Sequence, residues 1–254
     1  MKPSTLKVIL KNILLQRRSI GGYISTNSLL RKTDITVKSG PFAGMKYVEN
    51  STGSSYFPKL LGTYEMELYD TIEKFSKIKF DEIINVGAAE GYFSVGFAMR
   101  FPNSQIISFE PQFYGCYLLE KLAALNVVSD RIKIKAQLCE PEDLNQTINT
   151  DKKTLIFMDV EGTEIYLLDK TKVPKLDKCF VIVEIHDGFV PELAETIQKR
   201  FADTHTITEI WQEQRTIKDL TVNSIWKTLL KKQYETLLNE GRSNRMRWFV
   251  MEPK

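Results

Sequence analysis

Short apolar runs alternate along this chain with segments whose apolar residues recur every three or four positions. The runs are Ile83-Ile84-Asn85-Val86, Ile106-Ile107-Ser108-Phe109, Ile132-Lys133-Ile134-Lys135-Ala136, Thr154-Leu155-Ile156-Phe157-Met158 and Cys179-Phe180-Val181-Ile182-Val183. Between them, Phe93, Val95, Phe97, Ala98 and Met99 fall at helical spacing, as do Tyr117, Leu118, Leu122 and Leu125 within 113–126. Shorter helices are predicted at 140–144 and 162–168, and a longer one over 190–201. A strand over 205–211 follows, then an inserted helix over 219–240 carrying Trp226, Leu229, Leu230, Leu237 and Leu238, and a last strand from Met246 to Met251. Strands alternating with helices predict an α/β, doubly wound, mostly parallel sheet with right-handed crossovers. The last two strands, parted by the inserted helix, are expected to pair antiparallel at one edge.

Residues 1–60 read as an extension of helix and hairpin, and 61–254 as the main domain. Within 1–18, Leu6, Ile9, Leu10, Ile13 and Leu14 sit at helical spacing among Lys2, Lys7, Lys11, Arg17 and Arg18. Such a helix packs its apolar face on the domain or on a second subunit. The alternative is peripheral contact with an anionic membrane surface. Lys11 and Asn12 interrupt the apolar core of a secretory signal, and no small-residue cleavage site follows. Residues 35–38 and 45–48 predict a hairpin around Gly40-Pro41-Phe42-Ala43-Gly44. Leu60 to Glu65 leads into a helix over 65–76, and Tyr64 and Glu65 either fold over a ligand or simply open that helix.

Composition narrows the class. At 254 residues, 43% apolar and 26% charged, the chain has the make-up of a soluble globular protein with material for one core. A net charge of +3, with lysines and arginines spread along the chain, gives no ground for a nucleic-acid partner. Cys116, Cys139 and Cys179 show neither metal spacing nor a disulfide framework, which suits a reducing compartment. No apolar run approaches the roughly 20 residues that cross a bilayer. A cytoplasmic protein is expected, membrane-peripheral only if residues 1–18 serve that purpose.

The chemistry starts at Gly87-Ala88-Ala89-Glu90-Gly91, which ends the first apolar run. Gly87 lets the chain turn off a strand with no Cβ in the way, and Gly91 lets a helix start tight against it. Glu110 closes the next strand nineteen positions after Gly91, the usual place for a carboxylate that takes both hydroxyls of a ribose. A dinucleotide fingerprint wants glycine at 87, 89 and 92, and the chain offers Ala89 and Tyr92. Glu90 would also repel a pyrophosphate at the helix N-terminus. S-adenosylmethionine, with an ammonium and a sulfonium, tolerates an acid there and fits better than NAD.

Two further strand ends are acidic: Asp159-Val160-Glu161-Gly162-Thr163-Glu164 and Glu184-Ile185-His186-Asp187. Parallel neighbours lie about 4.8 Å apart, so both ends converge on one pocket. Glu184 and His186, two apart in extended chain, point the same way. Taken singly, Asp159 fits an N-cap and Glu184 a pair with a lysine or a backbone amide. Together with His186 they favour a site. His186 is the natural base for a hydroxyl acceptor, with Asp159 or Glu184 orienting it, and the same trio suits a divalent metal. Spacing alone does not choose. His205 opens a strand and reads as structural.

These residues resemble the FkbM-like family of class I S-adenosylmethionine-dependent methyltransferases. The matching pieces are Leu61-Gly62-Thr63-Tyr64-Glu65, Asn85 to Ser94, Phe109-Glu110-Pro111, Asp159 to Glu164 and Glu184-Ile185-His186. The resemblance implies a seven-stranded sheet with an antiparallel last strand, and O-methylation of a sugar, glycan or glycolipid. It implies that Gly87, Ala88 and Gly91 wrap the cofactor and Glu110 holds its ribose, with Glu65, Asn85 and Gln137 as further cofactor-side candidates. Asp159, Glu184 and His186 would be catalytic, with Glu161 and Glu164 on the acceptor. Two departures are Asn85, where the family carries an acid, and Glu90, where it carries a small or amide residue. The competing reading is a non-catalytic scaffold of the same fold that serves assembly.

Overall fold

The structure, a computed structural model, describes residues 35–220, 231–242 and 245–254. In chain order its elements are α1 (Tyr56–Leu61), α2 (Tyr69–Phe75), β1 (Glu82–Val86), α3 (Tyr92–Arg100), β2 (Gln105–Phe109), α4 (Phe113–Leu125), β3 (Ile132–Lys135), α5 (Pro141–Thr147) and β4 (Thr154–Met158). Then come α6 (Glu164–Leu167), β5 (Phe180–Ile185), α7 (Leu193–Phe201), β6 (His205–Trp211), α8 (Lys231–Leu238) and β7 (Arg247–Pro253). They fall into two compact units. One runs to Met66 and resumes over Gln214–Arg242; the other comprises Glu67–Glu213 and Ser243–Lys254. The inserted segment therefore groups with the N-terminal residues.

In the smaller unit, α1 and α8 bury Phe57, Leu61, Leu220, Tyr234, Leu237 and Leu238 in one cluster. Helix α1 stops at Gly62, whose left-handed backbone returns its N–H to Lys59 O. Buried charges are paired within this unit: Arg215 Nε lies 3.1 Å from Glu240 Oε1, and Arg242 bonds both Glu240 and Glu65. The expected hairpin is present in short form: Thr36 pairs antiparallel with Lys46, Tyr47 N–H donates to Ile35 O at 2.7 Å and Val37 N–H to Met45 O at 2.9 Å, around the 40–44 loop. Lys38 N–H, on the strand's other side, donates to Leu60 O at 2.9 Å and ties the hairpin to the end of α1. The helix expected over 1–18 lies outside the described residues, as do Trp226, Leu229 and Leu230.

The larger unit is built on a seven-stranded sheet of order β3-β2-β1-β4-β5-β7-β6. Strands β1 to β5 pair parallel, and β7 runs antiparallel to both β5 and β6. The antiparallel last strand is thus present, inserted between β5 and the edge strand β6. Strands β1 and β4 are buried at every position, because helices cover both faces and no side may be polar. Edge strand β6 is instead largely open, exposing Thr206, Thr208, Glu209 and Trp211. On one face Phe157 packs against Phe93, Phe97 and Trp248, with ring centroids 4.1, 5.3 and 5.2 Å away. On the other, Ile84, Val86, Ile156, Met158, Val181 and Val183 join Leu144, Leu167, Ile197 and Phe201.

Two boundaries differ from expectation. The helix predicted over 65–76 is a 3-10 turn, Met66–Leu68, followed by α2. The helix predicted from 190 begins at Leu193, because Pro191 is followed by Glu192 in the left-handed region. All three cysteines are free and buried. No helix among the described residues is long and apolar enough to cross a membrane.

His205 is structural, as its position at the head of a strand suggested. It is buried, its Nε2 donates to Cys179 O at 2.9 Å, and Thr204 Oγ1 lies 2.9 Å from Nδ1. Burial holds its pKa below the ordinary histidine value, so the fold prefers the neutral ring. Its stabilisation is complete above the unfolded pKa of about 6.5 and is lost as the pH falls below it toward the folded value. His205→Ala is expected to cost about 1–3 kcal/mol at pH 7.5 in urea unfolding. The gap to wild type should narrow at pH 5.5, where the wild type has lost part of that contribution.

Candidate active site

One rung of the sheet sets the geometry. Val86 of β1 pairs with Phe109 of β2 and Met158 of β4, and Met158 pairs with Val183 of β5. The next residue on each strand is Gly87, Glu110, Asp159 or Glu184, so four sequence-distant positions reach the same carboxyl edge together. The chain reverses its direction of travel between β1 and β4, and ligands of open α/β sheets bind in the crevice at such a point.

The β1 side is a tight cradle. Gly87 has φ of 85°, and a Cβ there would lie 1.9 Å from the carbonyl oxygen of Asp159. Gly87 and Ala88 N–H groups both donate to Phe109 O, and Gly91 caps α3. Glu110 is buried; its Oε2 accepts from Ala89 N–H at 2.7 Å and its Oε1 from Gln112 N–H at 2.8 Å. Each oxygen keeps a lone pair for a ligand hydroxyl. Gly115, which sequence reasoning passed over, lets α4 close on this acid: a Cβ would come within 2.9 Å of Glu110 Cγ and 3.1 Å of Ala89 O. Asn85 Nδ2 donates to Ser94 Oγ at 2.7 Å, and Ser108 joins the same hydroxyl at 2.8 Å, while Asn85 Oδ1 is buried with no hydrogen-bond partner. Gln137 is exposed just past β3. Glu65 belongs to the smaller unit, is buried, and is ion-paired with Arg242.

The β4 and β5 side gathers the acids around one imidazole. His186 Nδ1 meets Glu164 Oε1 at 2.5 Å. Nε2 faces Asp159 Oδ1 at 3.7 Å, Glu184 Oε2 at 3.7 Å and Glu161 Oε2 at 3.6 Å. Glu184 is buried, Asp159 half-buried, and Glu161 exposed at the rim. Glu161 adopts a left-handed backbone, φ 54°, and Gly162 follows it at 104°, which swings the chain from β4 into α6. Strain of this kind in a loop of acids is the sort that sites retain.

The Glu164 side chain has no exposure at all and accepts from Gly162 N–H at 3.2 Å besides bonding His186. It stands behind the imidazole because α6 begins at residue 164 and turns its first side chain inward. Asp159 is no N-cap, since Thr163 occupies that place. The loop after His186 is anchored too: Asp187 binds Arg247 of β7 and accepts from Ala194 N–H at 3.2 Å. Phe189 remains 67% exposed beside the cluster, its ring centroid 5.9 Å from that of His186.

Protonation follows from crowding. Burial raises the Asp159 and Glu184 carboxyls, and their mutual proximity raises Glu184 further. Burial opposes an imidazolium at His186, but the Glu164 hydrogen bond and the carboxylates of Asp159 and Glu161 outweigh it, and the pKa rises. Two carboxyl groups within hydrogen-bonding reach, as Asp159 and Glu184 are, share a proton or a cation.

No family model and no curated protein matches the chain. Among solved structures, a Clostridium thermocellum protein described as an rRNA methylase superposes with a TM-score of 0.50 at 11% identity, over 74% of this chain and 95% of its own. The O-methyltransferase TomG of Streptomyces achromogenes, in complex with SAM, gives 0.48 at 13% identity over 75% of this chain and 81% of its own. A SAM-dependent O-methyltransferase of Thermotoga maritima gives 0.45 at 12% over 72% of this chain and 64% of its own. At such identity the likeness is one of fold. The larger unit has the Rossmann-like fold of class I methyltransferases.

Because Gly87 has both a positive φ and the Asp159 carbonyl against its α-carbon, Gly87→Ala is expected to cost at least about 2 kcal/mol. Thermal and urea unfolding would read this, and a change under 0.5 kcal/mol, roughly the surface-substitution level, would contradict the described turn.

Proposed function

We propose that the protein is an S-adenosylmethionine-dependent methyltransferase that methylates a hydroxyl of a sugar, glycan or glycolipid, akin to the FkbM-like enzymes. The observation that carries the reading is the pairing of two constellations at one sheet edge. Glu110, held by two backbone amides, serves as the ribose acid, and the Asp159–Glu184–His186 cluster stands on the far side of the switch point. The cofactor fits the residues: Gly87 and Gly115 let the β1 turn and α4 close around Glu110, whose oxygens retain acceptor capacity.

Glu110 binds the ribose hydroxyls, while Gly87, Ala88 and Gly91 form the turn around the cofactor, with Asn85 Oδ1 and Gln137 as flanking polar atoms. When bound, the cofactor supplies a methyl group whose bond pair stays on sulfur as the acceptor oxygen takes the carbon. A hydroxyl is a poor nucleophile at neutral pH and must lose its proton as the bond forms. The cluster of His186, Asp159 and Glu184 receives that proton and fixes the oxygen in line, and Glu164 holds the imidazole in place. Exposed Glu161 suits hydrogen bonds to neighbouring hydroxyls, and Phe189 offers a flat apolar surface to one face of a sugar ring.

Calorimetry should show binding of S-adenosylmethionine and its demethylated product, and none of NAD. Removing two ribose hydrogen bonds to a charged partner costs roughly 2–4 kcal/mol, so Glu110→Ala should weaken binding about thirty-fold or more. Equal affinity of the two proteins would remove the ribose assignment. His186→Ala should leave cofactor affinity near wild type and lower turnover by about 10²–10⁴, the contribution of positioned proton transfer. Cofactor binding without turnover on any hydroxylated acceptor would instead favour the non-catalytic scaffold.

A further inference from the structure

We propose that Asp159, Glu184 and His186 bind one hard divalent cation, Mg²⁺ or Mn²⁺, with Glu161 closing the site from the rim. The proposal rests on the reading of this crevice as a methyl-transfer site and says what the cluster works with there. The candidate ligand atoms of the three residues all lie within 4.8 Å of one another. Nε2 of His186 stands 3.6–3.7 Å from three carboxylate oxygens, one each from Asp159, Glu161 and Glu184.

None of those separations is a hydrogen bond, since charged N–H···O contacts close to about 2.7–2.9 Å. A proton on Nε2 would therefore satisfy none of the three oxygens. An ion about 2.1 Å from each ligand holds adjacent ligands about 3.0–3.4 Å apart, so a contraction of a few tenths of an ångström brings Nε2 and each facing oxygen to ligand spacing.

Two observations beyond the crowding of acids point to a ligand. His186 is 3% exposed, and its Nε2, aimed at the three oxygens, makes no hydrogen bond with any described residue. Asp159 Oδ1, the atom that faces it, is buried with no hydrogen-bond partner. Glu164 then supplies orientation: by accepting a hydrogen bond from Nδ1–H at 2.5 Å it turns the Nε2 lone pair to the centre, the role that a carboxylate plays behind a metal-binding histidine. Carboxylate oxygens with one imidazole and no thiolate suit a hard ion. Three or four protein ligands leave positions for the acceptor's hydroxyl oxygen, whose proton the ion makes easier to remove.

The test uses the full chain, dialysed against EDTA and titrated with Mn²⁺ while free ion is followed by electron paramagnetic resonance. One ion per chain is expected. Asp159→Asn and His186→Ala should weaken binding well beyond tenfold, and Glu164→Gln about tenfold or more. Pulsed spectra of the bound ion should carry nitrogen coupling that His186→Ala erases; the chain has 2 histidines, and His205 is committed to Cys179. S-adenosylmethionine calorimetry on the same samples reports folding independently. Cofactor binding without saturable Mn²⁺ binding overturns the cation site and leaves the methyltransferase reading standing. Mn²⁺ binding without cofactor binding does the reverse. Wild-type protein lacking the nitrogen coupling, or variants that bind Mn²⁺ as tightly as wild type, also overturn it. Should Asp159→Asn fail to fold, Glu164→Gln and the nitrogen coupling decide.

Discussion

The structure depends on the register of four parallel strands. Because Val86, Phe109, Met158 and Val183 share one rung, the apolar runs end along a single line, and the residues that follow form the carboxyl edge of the sheet. Carboxylates on that line are only partly solvated. Each must find amides, an imidazole or a cation, because burying a charge without a partner is costly. Glu110 finds two backbone amides; Asp159, Glu161, Glu164 and Glu184 surround His186. A slip of one residue in β4 would carry Asp159 away from its neighbours and turn its side chain to the other face.

The backbone around that line is held from several directions. Gly87 admits the Asp159 carbonyl where any side chain would sit, which locks the β1 turn to the end of β4. Gly115 does the same for α4 against Glu110. On the β5 side, Asp187 is clamped by Arg247, so the antiparallel strand β7 steadies the loop that presents His186. Positioning side chains to fractions of an ångström is what catalysis by proximity demands, and such rigidity comes from fixed elements rather than from the loops alone.

Much of this was legible in the residue pattern, for identifiable reasons. Strands β4 and β6 were placed to the residue, and for β4 the reason is that a continuous apolar run bounded by polar residues is unambiguous. Glu110, Asp159 and Glu184 stood out because each closes an apolar run with a charge. The burial of Glu164 behind His186 was not legible, since sequence spacing cannot tell which way the first residue of a four-residue helix faces. Gly115 carried no signal, being one glycine in a helical stretch. The short hairpin around Gly40–Gly44 was legible because two glycines and a proline punctuate the chain between its apolar positions.

The amino-acid order by itself determined the alternation of buried strand and amphipathic helix, and with it the parallel sheet. It also determined the glycine turn and which strands end in acids. These are local properties, set by side-chain period, by backbone freedom at Gly87, and by the expense of ending an apolar run in a charge. Only the tertiary structure decided that β7 enters between β5 and β6, that Glu164 lies behind His186, and that three carboxylate oxygens stand nearly equidistant from one imidazole nitrogen. Those facts depend on strand order and register between segments far apart in the chain. Local pattern does not encode them, because long-range pairing is chosen by how whole faces pack.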